Sequence, residues 1–179
     1  MSKKKIFLIV GRTCTGKSSL AREMCDRLGV KQVVSYATRP RRKSEKEGAD
    51  HYFIKSHDVE KYQDQMAAYT KIGDYEYFTT YQTLDESDVY VIDPVGIREL
   101  KKRCGGKYDF VTIYIRVPRA KWQQLMKGRG VEKNRITQED AQFTAYENDH
   151  DWDYHILNAA EFKDAADTME RIMRKELNI

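Results

Sequence analysis

Cysteine is scarce in this chain, and the three present, Cys14, Cys25 and Cys104, have neither paired zinc-ligand spacing nor the density of a disulfide scaffold. They read as reduced thiols serving as packing atoms. No apolar run approaches the length of a membrane span, and the apolar part of the opening KKKIFLIV is too short, with no small-residue cleavage site, for a secretory signal. A cytoplasmic protein with no membrane partner is expected. Net charge is also small: the formal value of +4 is too mild to demand a polyanionic partner, while 34% charged and 40% apolar residues suit a soluble domain. There is no internal repeat and no low-complexity tract.

What the chain has is alternation. At 179 residues it is long enough to bury a core and short enough for one domain with small inserts. Apolar runs bounded by breakers recur at KIFLIV, KQVVSYA, DVYVID, YDFVTIYIRV and DYHILN, with helical patterns between them. Strands alternating with helices imply a five-stranded parallel sheet covered on both faces, an α/β fold. Leu20, Met24 and Leu28 at fourfold spacing, followed by Gly29, predict a helix over 18–28 with a glycine stop. Further helices are expected over 95–104, 119–127, 135–148 and 160–177. From about Ser35 to Asp88 the alternation breaks into short aromatic-rich strands, one helix near 57–65 and many charges. This stretch reads as an insert on the rim of the sheet.

The segment GRTCTGKS, Gly11 to Ser18, fits G-x-x-x-x-G-K-S/T between a strand and a helix. The chemistry explains the composition: successive backbone N–H groups must turn inward around a phosphate, which glycine permits, and the helix N-terminus adds partial positive charge. Gly11, Arg12, Thr13, Cys14, Thr15, Gly16, Lys17, Ser18 and Ser19 are therefore expected to hold the phosphates of a nucleotide, which is ATP in the kinase reading that the resemblance below implies. Lys17 supplies a cation for the outer phosphates, and Ser18 a hydroxyl for magnesium. Cys14 reads either as a redox-sensitive thiol at a helix N-terminus or as a small loop-filling residue. Such a loop does not name a reaction, because ATPases, GTPases and kinases share it.

The acceptor is sought in SYATRPRRKSEKEGADHYF, 35–53, where Arg39, Arg41, Arg42, Lys43 and Lys46 crowd together while Glu45, Glu47 and Asp50 offset them. A nucleic-acid footprint would spread basic residues along a face; paired guanidinium forks suit one phosphate. This segment resembles the monophosphate-binding segment of guanylate kinases, and the resemblance extends over nearly the whole chain through the phosphate loop, VIDPVG, GRG, NRI and DYHILN. It implies a P-loop NTPase fold with core 1–34 and 88–179, a small mixed α+β acceptor-binding insert 35–87, and a short lid at about 127–136. It also implies that Ser35 touches the acceptor base, that Arg39 and Arg42 grip the acceptor phosphate, and that Tyr77 and Thr79 supply a phosphate-binding tyrosine and a base-reading hydroxyl. Lid arginines map to Arg129 and Arg135, which with Lys17 and Arg42 form the catalytic set. Asp93, after VYVI, is placed to reach magnesium or its waters, or else forms a turn before Pro94. Asn158 falls where the family has an asparagine near adenine. The acidic cluster NDHDWD, with His150 and His155 near it, has no ligand spacing and reads as a solvated helix end.

The chain departs from the family where the base should be read. Ala68, in QMAAY, stands where guanylate kinases place a glutamate, and VIDPVG has Val91 and Val95 at two further polar positions. A charge-assisted hydrogen bond is worth roughly 1.5–3 kcal/mol, about ten- to a hundredfold in discrimination. Strict guanine selectivity is expected to suffer unless Glu76, Asp74 or another group takes over. His51 replaces the family's first phosphate-binding tyrosine and reads either as a phosphate donor or as a packing residue. The implied reaction is transfer of the ATP γ-phosphate, with Mg2+, to a nucleoside monophosphate, GMP or dGMP first. Two other readings stand beside it: a related kinase of another acceptor, either another nucleotide or ribose 1,5-bisphosphate, and a noncatalytic protein-binding module. A monomer or homodimer with small-molecule substrates and no nucleic-acid partner is expected.

Overall fold

The computed structural model describes residues 3–43, 45–128 and 133–179, with the backbone alone for 133–135. In chain order the elements are β1 (Lys4–Val10), α1 (Lys17–Leu28), β2 (Ser35–Ala37), β3 (His51–Phe53), a 3₁₀ helix (Ser56–Gln65), β4 (Met66–Ile72), β5 (Tyr75–Thr80), α2 (Tyr81–Asp85), β6 (Val89–Val91), α3 (Pro94–Cys104), β7 (Tyr108–Arg116), α4 (Arg119–Gly128), α5 (Lys133–Asp149), β8 (Tyr154–Leu157) and α6 (Phe162–Leu177).

The continuous apolar run of β1 buries Ile6 to Val10 completely, as a central strand covered on both faces must. It pairs in parallel with β6 and β7, and β7 with β8, giving the order β6-β1-β7-β8. One face packs Phe7, Ile9, Ile113 and Ile115 against Leu20 and Met24 of α1 and Met169 and Met173 of α6. The opposite face packs Ile6, Leu8 and Tyr114 against Ile97 and Leu100 of α3 and Phe143 and Tyr146 of α5. Local chemistry sets the helix ends. Gly29 takes a left-handed φ of 67° and its N–H donates to the Cys25 carbonyl at 3.0 Å, stopping α1. Asp93 caps α3 by accepting from the Val95 and Gly96 amides, with Pro94 opening the first turn.

The α/β class holds, but among the described residues the core sheet has four strands rather than five. KQVVSYA divides: Gln32 makes a single parallel bridge to Val89 beside β6, and the chain then leaves the core to form β2. A change of partner in mid-run leaves no mark in the hydrophobic pattern. The second sheet, ordered β3-β2-β5-β4, mixes a parallel β2–β3 pair with antiparallel β2–β5 and β4–β5 pairs. The expected helix near 57–65 is a 3₁₀ helix, and α2 is an element that the sequence reading lacked. Among the described residues no helix is long and apolar enough to cross a membrane.

Candidate active site

The carboxyl ends of β1 and β6 feed a cleft of about 480 Å³ between the parallel sheet and the second sheet. Ligands of open α/β sheets bind at such strand ends. From β1 the chain turns sharply at Gly11, where a Cβ would lie 2.4 Å from the Ile115 carbonyl oxygen of β7. Gly16 adopts φ 91°, and a Cβ there would meet the Asn158 amide at 2.9 Å. Between them Cys14 also has positive φ, 65°, and its side chain packs on Val117, Trp122 and Met126. The loop is braced from within: the Thr15 hydroxyl and Lys17 Nζ both donate to the Arg12 carbonyl at 2.7 Å. It is also braced from outside, where Asn158 Nδ2 donates to the Thr15 carbonyl and Trp122 Nε1 to the Thr13 carbonyl. Ser18 and Ser19 lie exposed on the first turn of α1.

Arg12, expected among the ATP ligands, sends its side chain elsewhere. Its guanidinium reaches Glu147 Oε1 at 2.8 Å, Asp140 Oδ1 at 3.2 Å and the Tyr114 hydroxyl, and lies over the rings of Trp122 and Phe143. Burial alone would raise the Glu147 carboxyl, but hydrogen bonds from Arg12 and Tyr114 hold it below its ordinary value. Only the backbone of Arg12 remains for a phosphate. Next to it, the Thr13 amide donates to the carboxylate of Glu139 on α5.

The second sheet presents the other half of the cleft. Cα partners share a face, so the registers Ser35↔His51, Ala37↔Tyr77 and Thr70↔Tyr77 set the cleft-facing residues apart from Tyr36 and Phe78 behind. Ser35, Arg39, Arg42, His51 and Tyr77 all line the cleft that Gly11, Thr13 and Lys17 line from the opposite side. Arg39 is buried and held by a two-pronged pair with Glu45, at 2.7 and 2.6 Å, while its guanidinium lies over Phe53. The Arg39 hydrogen bonds hold the Glu45 carboxyl down to about 2. Arg42 is exposed, and His51 Nδ1 lies 2.9 Å from the Ser35 hydroxyl.

Thr79 is not among the residues lining the cleft; its hydroxyl is fully buried and without a hydrogen-bond partner among the described residues. Ala68, Val91 and Val95 line the cleft. Glu76 does not replace the missing glutamate, because its carboxylate accepts from the Tyr69 hydroxyl at 2.8 Å and neither it nor Asp74 lines the cleft. Thr70, Gln138, Glu139 and Gln142 line it and were not singled out in the sequence. Arg129 lies outside the described residues, as does the side chain of Arg135.

For a divalent cation the oxygen donors at hand are the Ser18 hydroxyl and Asp93, whose Oδ1 caps α3 at 2.9 and 3.0 Å and leaves Oδ2. Among the described residues no group of three or more His, Cys, Asp or Glu could hold a metal alone. That donor set fits magnesium carried in by phosphate oxygens and water, with one or two protein groups completing the shell. In the acidic cluster near the end of α5, Asp151 pairs with Lys101 and Asp153 accepts from the Thr112 amide.

Comparison with known proteins agrees with this geometry. The family model described as guanylate kinase matches residues 3–176. A guanylate kinase of Zymomonas mobilis is 26% identical over 97% of this chain and 82% of its own length; one of Haemophilus ducreyi is 27% identical over 96% and 88%. The crystal structure of guanylate kinase from Anaplasma phagocytophilum superposes with a TM-score of 0.73 at 22% identity, over 98% of this chain and 87% of that one, a likeness of fold. With the family model spanning nearly its whole length, the chain belongs to the guanylate kinase family.

Proposed function

We propose that the protein transfers the γ-phosphoryl group of ATP to a nucleoside 5′-monophosphate, with GMP and dGMP as first candidates. Phosphorylation of GMP by ATP is the reaction of the family. One observation carries the assignment to this chain: the phosphate loop and the Arg39, Arg42 and His51 group open onto one cleft. In this reading an acceptor phosphate oxygen, already anionic, attacks the γ-phosphorus. The bond from that phosphorus to its β,γ-bridging oxygen breaks, ADP leaves, and neither a general base nor a covalent enzyme intermediate is needed.

The loop amides and Lys17 hold the outer phosphates of ATP, with Asn158 bracing the loop. Arg39, Arg42, His51 and Tyr77 hold the acceptor phosphate, and Ser35 fixes His51. When bound, magnesium neutralises charge on the β- and γ-oxygens; Ser18 and Asp93 would hold it. Arg129 and Arg135 are assigned to neutralising the transferred group, in a lid at about 127–136 closing on a core of 1–34 and 88–179 with its insert 35–87. The balanced charge and the cleft-facing arginines support small-molecule substrates and no nucleic-acid partner, in a cytoplasmic monomer or homodimer. A coupled ADP assay with a panel of nucleoside monophosphates and ribose 1,5-bisphosphate tests this. ADP formation that requires a monophosphate and is lost in Lys17→Ala is expected. Undiminished transfer in Lys17→Ala, or ribose 1,5-bisphosphate as sole acceptor, would overturn it.

A further inference from the structure

On the cleft-facing side of the second sheet, the strand order β3-β2-β5-β4 lays out a ruler. His51 and Ser35 stand at the end shared with Arg39, Tyr77 follows on β5, and Thr70 stands on β4 opposite Tyr77. Across the strands the first and last of these stand three spacings apart, about 14 Å, with Thr70 two residues along in register from the row of His51 and Ser35. That span is long enough for a nucleoside monophosphate lying across the strands. A phosphate on Arg39 and Arg42 therefore sends the base toward β4 and the N-terminal turn of α3, which packs on β4.

Ala68, Val91 and Val95 line the cleft there and Gly96 adds bare backbone, while Tyr69, Lys71, Ile72 and Tyr90, which also line it, bring no carboxylate. Both described carboxylates that line the cleft, Asp93 and Glu139, are engaged, the first capping α3 and the second on the Thr13 amide. Thr70 differs from its neighbours. It is 7% exposed, it lines the cleft, and its hydroxyl has no hydrogen bond to any described residue. A Cβ on Gly96 would come 3.2 Å from that oxygen, so the hydroxyl lies against the start of α3. Its oxygen is not fully sealed from solvent, so it opens to the cleft, where a bound group can supply the partner.

We infer that Thr70 reads the acceptor base, and that the site takes purine and pyrimidine nucleoside monophosphates through a neutral hydrogen bond and apolar contact. Guanine presents N–H donors that a carboxylate would single out. A threonine hydroxyl donates or accepts equally well and so separates bases weakly. This rests on the phosphotransfer reading above.

The test measures the acceptor kinetics of wild type, Thr70→Val and Thr70→Ser with GMP, dGMP, AMP, CMP, UMP and dTMP at fixed ATP. Calorimetric binding of the same monophosphates without ATP runs beside it. Wild type is expected to span less than about a hundredfold in kcat/KM across the panel. Thr70→Val is expected to raise acceptor KM and Kd about 3- to 10-fold, to leave the KM for ATP and the melting temperature unchanged, and to be rescued by serine. Equal acceptor binding by wild type and Thr70→Val overturns the role of Thr70. A guanine preference beyond about a thousandfold overturns the broad acceptor class. Binding that is weakened by Thr70→Val without any phosphotransfer sustains the role of Thr70 and sinks only the reaction.

Discussion

Glu139 of α5 accepts a hydrogen bond from the Thr13 amide, in the loop whose amides are assigned to ATP phosphates. On that assignment a carboxylate oxygen there takes the place of a phosphate oxygen, and the two anions cannot share one donor. ATP binding is then expected to displace Glu139 from Thr13, breaking a charge-assisted hydrogen bond worth about 1.5–3 kcal/mol. Glu139→Ala is therefore expected to lower the KM for ATP about tenfold or more, with the acceptor KM unchanged. Initial-rate kinetics decide it, and a raised KM for ATP would make Glu139 a ligand rather than a competitor.

Arg12 ties the same loop to α5 through Glu147, Asp140 and Tyr114, with its side chain nearly buried between Trp122 and Phe143. Removing one partner of such a buried pair leaves the other uncompensated, which costs about 3–5 kcal/mol. Arg12→Met is expected to lose about 3 kcal/mol in urea unfolding. Lys17→Ala is expected to lose activity and little stability. If instead Arg12→Met kept full stability and lost ATP affinity, the guanidinium would belong with the phosphates.

The difference between these two neighbouring cations marks how far the sequence could be read. Leu20, Met24 and Gly29 announced α1, and the unbroken run Ile6 to Val10 announced a central strand, because periodicity and glycine act locally. GRTCTGKS disclosed the loop for the same reason. Where Arg12 points depends on how α5 packs, and TQEDAQ on that helix has the pattern of a solvated face. Thr70 was silent too: a lone threonine in a strand acquires meaning only once the register sets it opposite Tyr77. α2 did carry a signal, since Thr80 caps it by accepting from the Thr83 amide, yet its five residues are too few for a helical period.

Thr79 and Thr70 make a paired prediction, because family likeness singles out one and geometry the other. The Thr79 hydroxyl is buried, unpartnered among the described residues, and off the cleft lining. Replacing an unsatisfied buried hydroxyl by an apolar isostere is neutral or stabilising by about 1 kcal/mol. Thr79→Val is expected to keep the acceptor KM and to melt at the same or a higher temperature. A rise in acceptor KM in Thr79→Val, with none in Thr70→Val, would return base reading to Thr79.

With His51 assigned to the acceptor phosphate, acceptor binding is expected to depend on pH. Partial burial, and then the nearby charge of Arg39, hold its imidazole below the ordinary value of 6.5, against the smaller opposing pull of Glu45 and Asp50. Ser35 on β2 and the ring edges of Phe53 and Tyr77 complete its surroundings. The sign for folding follows from linkage: the unfolded chain takes up the proton first, so the His51 contribution is present above 6.5 and is lost as pH falls toward the lower native value. Acceptor binding has the opposite sign, because a phosphate dianion seated on Arg39 and Arg42 offsets their charge and draws a proton onto the ring. Binding measured by calorimetry in buffers of different ionisation enthalpy is expected to show proton uptake in wild type below neutral pH and less in His51→Gln. The ratio of wild-type to His51→Gln kcat/KM for the acceptor is expected to grow as pH falls from 8 to 6. Using that ratio cancels the titration of the acceptor's own phosphate, which both proteins share. A ratio flat across the range, with equal proton uptake, would leave His51 as a packing residue held by Ser35.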